Sequence, residues 1–185
     1  MEKFTTLTAV AAPLPADNID TDQLMPKQFL HGIDKSGLAQ GLLYNLRFDG
    51  NSRPNPDCVF NKPGFEKMEI LVAGPNFGCG SSREHAVYCL QYAGVPCVLA
   101  ETCSRIYYRN AINNGYPVLF VKGISDAIKN GDIRDGDMLD VDMDSGKIIN
   151  TSNGKTFHGD AVSDLEHDIM EAGGLFQYMK KNAKE

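Results

Sequence analysis

The sequence has no C-x-x-C pair, no long apolar run and no excess of basic residues, and each absence removes a class of function. Its five cysteines stand at 58, 79, 89, 97 and 103. An odd count at irregular spacing predicts reduced thiols rather than a disulfide framework, and it offers no iron–sulfur or zinc ligand set. Nothing approaches the roughly 20 apolar residues of a membrane span, and Met1-Glu2-Lys3-Phe4 opens without the apolar block of a secretion signal. A soluble, cytoplasmic chain is expected, with no membrane partner. The formal net charge of -6 argues against nucleic acid as the main partner, while leaving room for a local basic site that takes a small acid. Internal repeats and low-complexity tracts are also missing. The 185 residues, 42% hydrophobic and 23% charged, fit a single globular domain over 1–185, long enough to bury a core.

What is present centres on Asn76-Phe77-Gly78-Cys79-Gly80-Ser81-Ser82-Arg83-Glu84-His85-Ala86. It follows the strand-like run Met68–Gly74 and leads into Ala86–Ala93, where apolar residues recur at helical spacing. The order is strand, glycine turn, helix start. Gly78 and Gly80 permit positive φ and close backbone approach. Ser81 or Ser82 suits the N-cap, with Glu84 placed to close a capping box. Free amides at a helix start favour an anion, and Arg83 adds a planar fork suited to a carboxylate. An ordinary capped turn is the bland alternative; the density of glycine, hydroxyl and guanidinium favours a site. Within it, Cys79 reads either as packing or as a reactive thiol, whereas Cys89 and Cys97 read as buried small hydrophobes.

Ahead of this centre lies a β-prone run, Phe4–Ala11, expected to end at Pro13 and Pro15. Asp17-Asn18-Ile19-Asp20-Thr21-Asp22 then groups carboxylates, amide and hydroxyl. It lacks the glycine and distal glutamate of a calcium loop, so an Asx-rich turn capping a short helix toward Met25 is expected, with one carboxylate free to meet a serine or arginine elsewhere. His31 reads as loop or packing unless that loop closes over a substrate. A weakly amphipathic stretch follows through Leu38, Leu42, Leu43 and Leu46, and Arg47–Pro63 reads as a turn-rich surface excursion. Beyond the centre, Val95–Ala100, Ser104–Ile112 and Tyr116–Val121 alternate strand and helix, which implies a parallel sheet. The runs 138–143 and 147–151 read as an antiparallel hairpin or meander with Asp140, Asp142 and Asp144 on its solvated face, and a final helix runs from about Ser163 to Gly173-Gly174.

The central motif, the upstream Asp17–Gln23 and Arg105-Ile106-Tyr107-Tyr108-Arg109-Asn110-Ala111-Ile112-Asn113-Asn114-Gly115 together resemble the small subunits of 3-isopropylmalate dehydratases, which are similar to the swivelling C-terminal domain of aconitase. The resemblance extends over nearly the whole chain, including Glu171–Leu175. It implies an α/β fold of the swivelling β/β/α type, a mixed sheet core with flanking helices. It also implies a hydro-lyase that isomerises 2- and 3-isopropylmalate through 2-isopropylmaleate in leucine biosynthesis, active only with a large subunit. Related subunits acting on homoaconitate, citraconate or dimethylmalate are the alternative. The four-iron four-sulfur cluster of the family sits in the large subunit, so this chain is expected to bind no metal or cofactor of its own. Carried over by position, Ser81 is the proton-transfer base, Asp22 an acidic partner, and Ser82 and Arg83 the carboxylate contacts. Substrate choice falls to a mobile loop at Lys27–His31, where Phe29 and Leu30 suit an alkyl group. A serine base must act as an alkoxide, and the sequence suggests the helix start, the Gly78–Gly80 amides and Arg83 as its stabilisers.

Overall fold

Near-continuous apolar runs in the central strands, whose successive side chains point to opposite faces, give one sheet two buried faces. A computed structural model describes residues 6–14, 16–30, 35–65 and 69–183. The strands are β1 (Thr6–Leu14), β2 (Glu69–Ala73), β3 (Val98–Ala100), β4 (Val118–Phe120), β5 (Met138–Asp142), β6 (Lys147–Asn150) and β7 (Lys155–His158). They form a single mixed sheet in the order β4-β3-β2-β1-β5-β6-β7. Strands β1 to β4 pair in parallel, and β5 to β7 join as an antiparallel meander whose first two strands, β5 and β6, the turn signals predict. The helices are α1 (Thr21–Leu24), α2 (Lys35–Gly41), α3 (Tyr44–Arg47), α4 (His85–Ala93), α5 (Arg105–Asn113), α6 (Ile124–Lys129), α7 (Asp164–Ala172) and α8 (Leu175–Asn182).

One face carries Ala12, Leu14, Leu71, Ala73, Val98 and Ala100 under α1, α2, α4 and α5. The other carries Ala9, Ala11, Ile70, Val72 and Leu99 against α6 and the meander. Cys89 and Cys97 are buried on opposite faces, as expected of small core hydrophobes.

Two expectations fail for physical reasons. The first strand does not end at Pro13 but runs through it to Leu14. Proline is excluded from central strands because it lacks an N–H, yet β5 pairs only with Thr6–Val10, so no strand opposes the Pro13 nitrogen on that edge. Pro13 still pairs with Val72 on the β2 side. The central helix starts at His85 with Glu84 as N-cap and no side-chain cap, not at Ser81 or Ser82. The Ser81 hydroxyl is engaged elsewhere, and the Glu84 carboxylate accepts from Tyr88 at 3.2 Å. Strand β7 and helices α6 and α8 were not anticipated: each is short, and α8 buries no side chain.

Helix α7 is capped by Ser163 in a full capping box with Glu166, whose carboxylate also accepts from Tyr108 on α5 at 2.6 Å. Partial burial pushes the Glu166 carboxyl up, but the hydrogen bonds from Tyr108 and Ser163 outweigh it and hold it below the ordinary glutamate range. A depressed folded-state value stabilises above the unfolded value, and the contribution is lost as pH falls through the folded one. Tyr108→Phe should therefore destabilise by about 1 kcal/mol at neutral pH, and the difference from wild type should vanish in acid, as read from chemical denaturation across pH. A pH-independent difference would mean that the Tyr108 hydroxyl does not act through the Glu166 carboxylate, since the ring that packs on Phe120 at 4.7 Å is kept in phenylalanine.

Candidate active site

The three segments leaving the carboxyl ends of β1, β2 and β3 lie side by side, the place where open α/β sheets bind ligands. The middle segment is the glycine turn. Isolated bridges tie Cys79 to Asp20 on one side and Phe77 to Cys103 on the other. On the first side Asn18 N–H donates to Pro75, Gly78 N–H to Ile19 at 2.7 Å, and Thr21 N–H to Cys79 at 2.8 Å. On the second, Phe77 N–H donates to Thr102 and Ser104 N–H to Phe77, while the Ser104 hydroxyl donates to the Gly78 carbonyl at 2.7 Å. The turn is thus a strand-like strip clamped along both edges.

Gly78 makes that clamp possible. Its φ is +70, and a Cβ there would lie 2.3 Å from Cγ of Tyr107. The Tyr107 ring meets Phe77 edge-on at 5.2 Å and is buried under the turn. From below, Asn110 Nδ2 donates to the Ser82 carbonyl at 3.2 Å. Asn110 is 6% exposed, a buried amide spent on holding the backbone between Ser81 and Arg83.

Four side chains meet at the rim. Ser81 Oγ lies 2.8 Å from Thr21 Oγ1, and the Ser81 N–H donates to that same Thr21 oxygen at 3.1 Å. Arg83 Nη1 forms an ion pair with the Asp22 carboxylate. The Arg83 side chain is 19% exposed and that of Asp22 56%, so the guanidinium lies against the protein while the carboxylate faces outward. Asp20 N-caps α1 in a capping box with Gln23, which fixes Thr21 and Asp22 on the first turn, as the Asx-rich reading expected.

The residues named from the sequence are therefore only partly gathered. Ser81, Arg83 and Asp22 come together; Ser82 is exposed beside them. Phe29 and Leu30 follow on a short 3-10 turn, half-buried against the core under α2, with Phe29 packed on Tyr44 at 4.8 Å. His31 lies outside the described residues. Thr21, Ser104, Tyr107 and Asn110 were not singled out, and the only hint of Thr21 was its place beside Asp22. The proposed alkoxide stabilisers need correction in two respects: the Gly78 amide is consumed by Ile19, and the helix start lies beyond Arg83, at His85.

The cysteines do not fit an iron–sulfur cluster in this chain. Burial raises the thiols of Cys89 and Cys103 to about 12 and pushes Cys58 and Cys97 up as well, disfavouring the thiolates that ligate iron, and Cys97 sits across the sheet from Cys89. Cys79 Sγ contacts the Asn18 carbonyl at 3.5 Å. Among the described residues, the trio His167, Asp168 and Glu171 on α7 brings possible ligand atoms within 4.8 Å of one another, with the two acids exposed and no thiol. No helix among these residues is long and apolar enough to cross a membrane.

Comparison with known proteins points one way. The family described as aconitase C-terminal domain matches residues 1–122. The 3-isopropylmalate dehydratase small subunit 1 of Chromobacterium violaceum is 56% identical over 114 residues, 62% of this chain and 54% of that relative, so the match spans about half its length. The 3-isopropylmalate dehydratase small subunit of Brucella canis is 39% identical over 198 aligned positions, covering 100% of this chain and 98% of the relative. The crystal structure of 3-isopropylmalate dehydratase from Methanocaldococcus jannaschii aligns with a TM-score of 0.79 and 32% identity, over 97% of this chain and 96% of that one.

Proposed function

Because the chain belongs to the aconitase C-terminal domain family, among the small subunits of 3-isopropylmalate dehydratases, we propose that it is the proton-transfer half of a hydro-lyase interconverting 2- and 3-isopropylmalate. The observation that carries this reading is the joint placement of a serine hydroxyl and a guanidinium at the rim, each already held by a partner.

Ser81 as alkoxide takes the proton from the carbon beside a carboxylate and becomes a neutral hydroxyl; the C–H electron pair forms the alkene as hydroxide leaves the neighbouring carbon. Rehydration with the opposite regiochemistry runs the same steps in reverse, Ser81 returning the proton. Arg83 and Ser82 hold a substrate carboxylate. Asp22 fixes the Arg83 fork beforehand, so that little order remains to be imposed when the substrate arrives. A four-iron four-sulfur cluster, when bound by the large subunit, supplies Lewis-acid assistance to the departing hydroxyl. Phe29 and Leu30 provide the apolar contact for an isopropyl group, which is what separates this substrate from a tricarboxylate.

Co-expression with a cluster-bearing large subunit, followed by measurement of alkene formation from 2-isopropylmalate, tests the reading. A stable complex with this turnover is expected. Faster conversion of homoaconitate, citraconate or dimethylmalate would move the assignment to a related hydro-lyase, and a complex inert toward all of them would leave only an anion-binding module.

A further inference from the structure

Ser81 works as a base only if something donates to it once its proton is gone. The Gly78 amide is spent on Ile19 at 2.7 Å, and the Ser81 amide points into Thr21. Arg83 is engaged with Asp22. The hydroxyl that lies against Ser81 Oγ is that of Thr21, at 2.8 Å. Resting on the assignment of Ser81 as base, we propose that Thr21 is the positioning residue that holds Ser81 and stabilises its deprotonated form.

With both hydroxyls neutral, either one can donate to the other. With Ser81 ionised, only Thr21 can, so the shared proton settles on Thr21 Oγ1 and points at the alkoxide. The same Thr21 oxygen accepts the Ser81 N–H at 3.1 Å, which polarises its O–H and makes it a better donor. The result is a closed relay in which the Ser81 amide assists its own side chain through Thr21. Thr21 is 1% exposed, so its hydroxyl is screened from water and its donor strength is not diluted by solvent. The Thr21 N–H donates to Cys79 and the Asp20 cap anchors the helix behind it, which keeps the oxygen in register. A merely structural threonine would need one partner; this one presents the same oxygen to both the amide and the hydroxyl of a single residue.

The test compares Thr21→Val, of nearly the same shape, with Thr21→Ser, which keeps the hydroxyl, each in the assembled two-subunit enzyme. Thr21→Val is expected to lower kcat by about 10²-fold with KM changed little, in the range seen when one donor to a developing oxyanion is removed. The pH at which activity half-develops should move upward, since a less stabilised alkoxide forms at higher pH. Thr21→Ser should restore kcat to within a few-fold and bring the pH midpoint back. Thr21→Ala, expected to show the same loss and shift, covers the case in which valine prevents assembly. Equal activity of the valine and serine variants, or a loss of rate in both without any displacement of the pH midpoint, would overturn the proposal. Failure of the base assignment is a separate result: wild-type rates in Ser81→Ala would remove Ser81 itself from the chemistry.

Discussion

Alanine at position 81 is expected to reduce turnover of the assembled enzyme by about 10⁴-fold or more, the upper range for loss of a positioned base. Nothing else at the rim replaces it. Thr21 is buried behind it, Ser82 is exposed on the next backbone unit, and Asp22 is engaged with Arg83. The fold should survive, because the backbone N–H at position 81 still donates to Thr21 Oγ1. The substitution leaves one threonine proton without its acceptor, which costs about 1 kcal/mol. Co-elution with the large subunit and an unchanged KM would accompany the loss of kcat. Near-wild-type rates would sink the mechanism.

Gly78→Ala should have a large effect on stability. Two penalties coincide there. A φ of +70 is strained for any residue with a Cβ, and the added carbon would sit 2.3 Å from a buried tyrosine ring that has no room to retreat. Together they amount to about 3–5 kcal/mol and lower the melting temperature by roughly 10 °C in a chain of this size. Gly154 supplies the control. Its φ is +79, yet a Cβ there meets nothing within 4 Å, so Gly154→Ala carries the backbone strain alone, about 1–2 kcal/mol. Equal melting temperatures for the two variants would show that Tyr107 yields and that the turn is not clamped as described.

The comparison of these glycines also shows what a sequence can and cannot convey. Gly78 and Gly80 announced a turn, and periodicity placed the parallel strands, the first two strands of the meander and most helices, because amphipathic patterning is written locally. Short elements whose stability comes from neighbours, such as α6 and β7, left no such trace. At the site, Ser81, Arg83 and Asp22 were legible through motif and resemblance. Thr21 was not, since a threonine in a polar run looks like a turn residue until the fold buries it against a serine 60 positions away. The capping expectation at Ser81 and Ser82 failed for the same reason: a local rule was overruled by a hydroxyl and an amide supplied from distant segments.

The clamped strip has a bearing on how activity is acquired during biosynthesis. Its two edges come from residues near 20 and near 104, and the glycine turn contributes nothing until both flank it. No nascent fragment ending before Ser104 contains the whole arrangement. Under the proposed function, proton transfer requires this tertiary closure, so partially unfolded forms of this subunit should compete for the partner, if at all, without turnover.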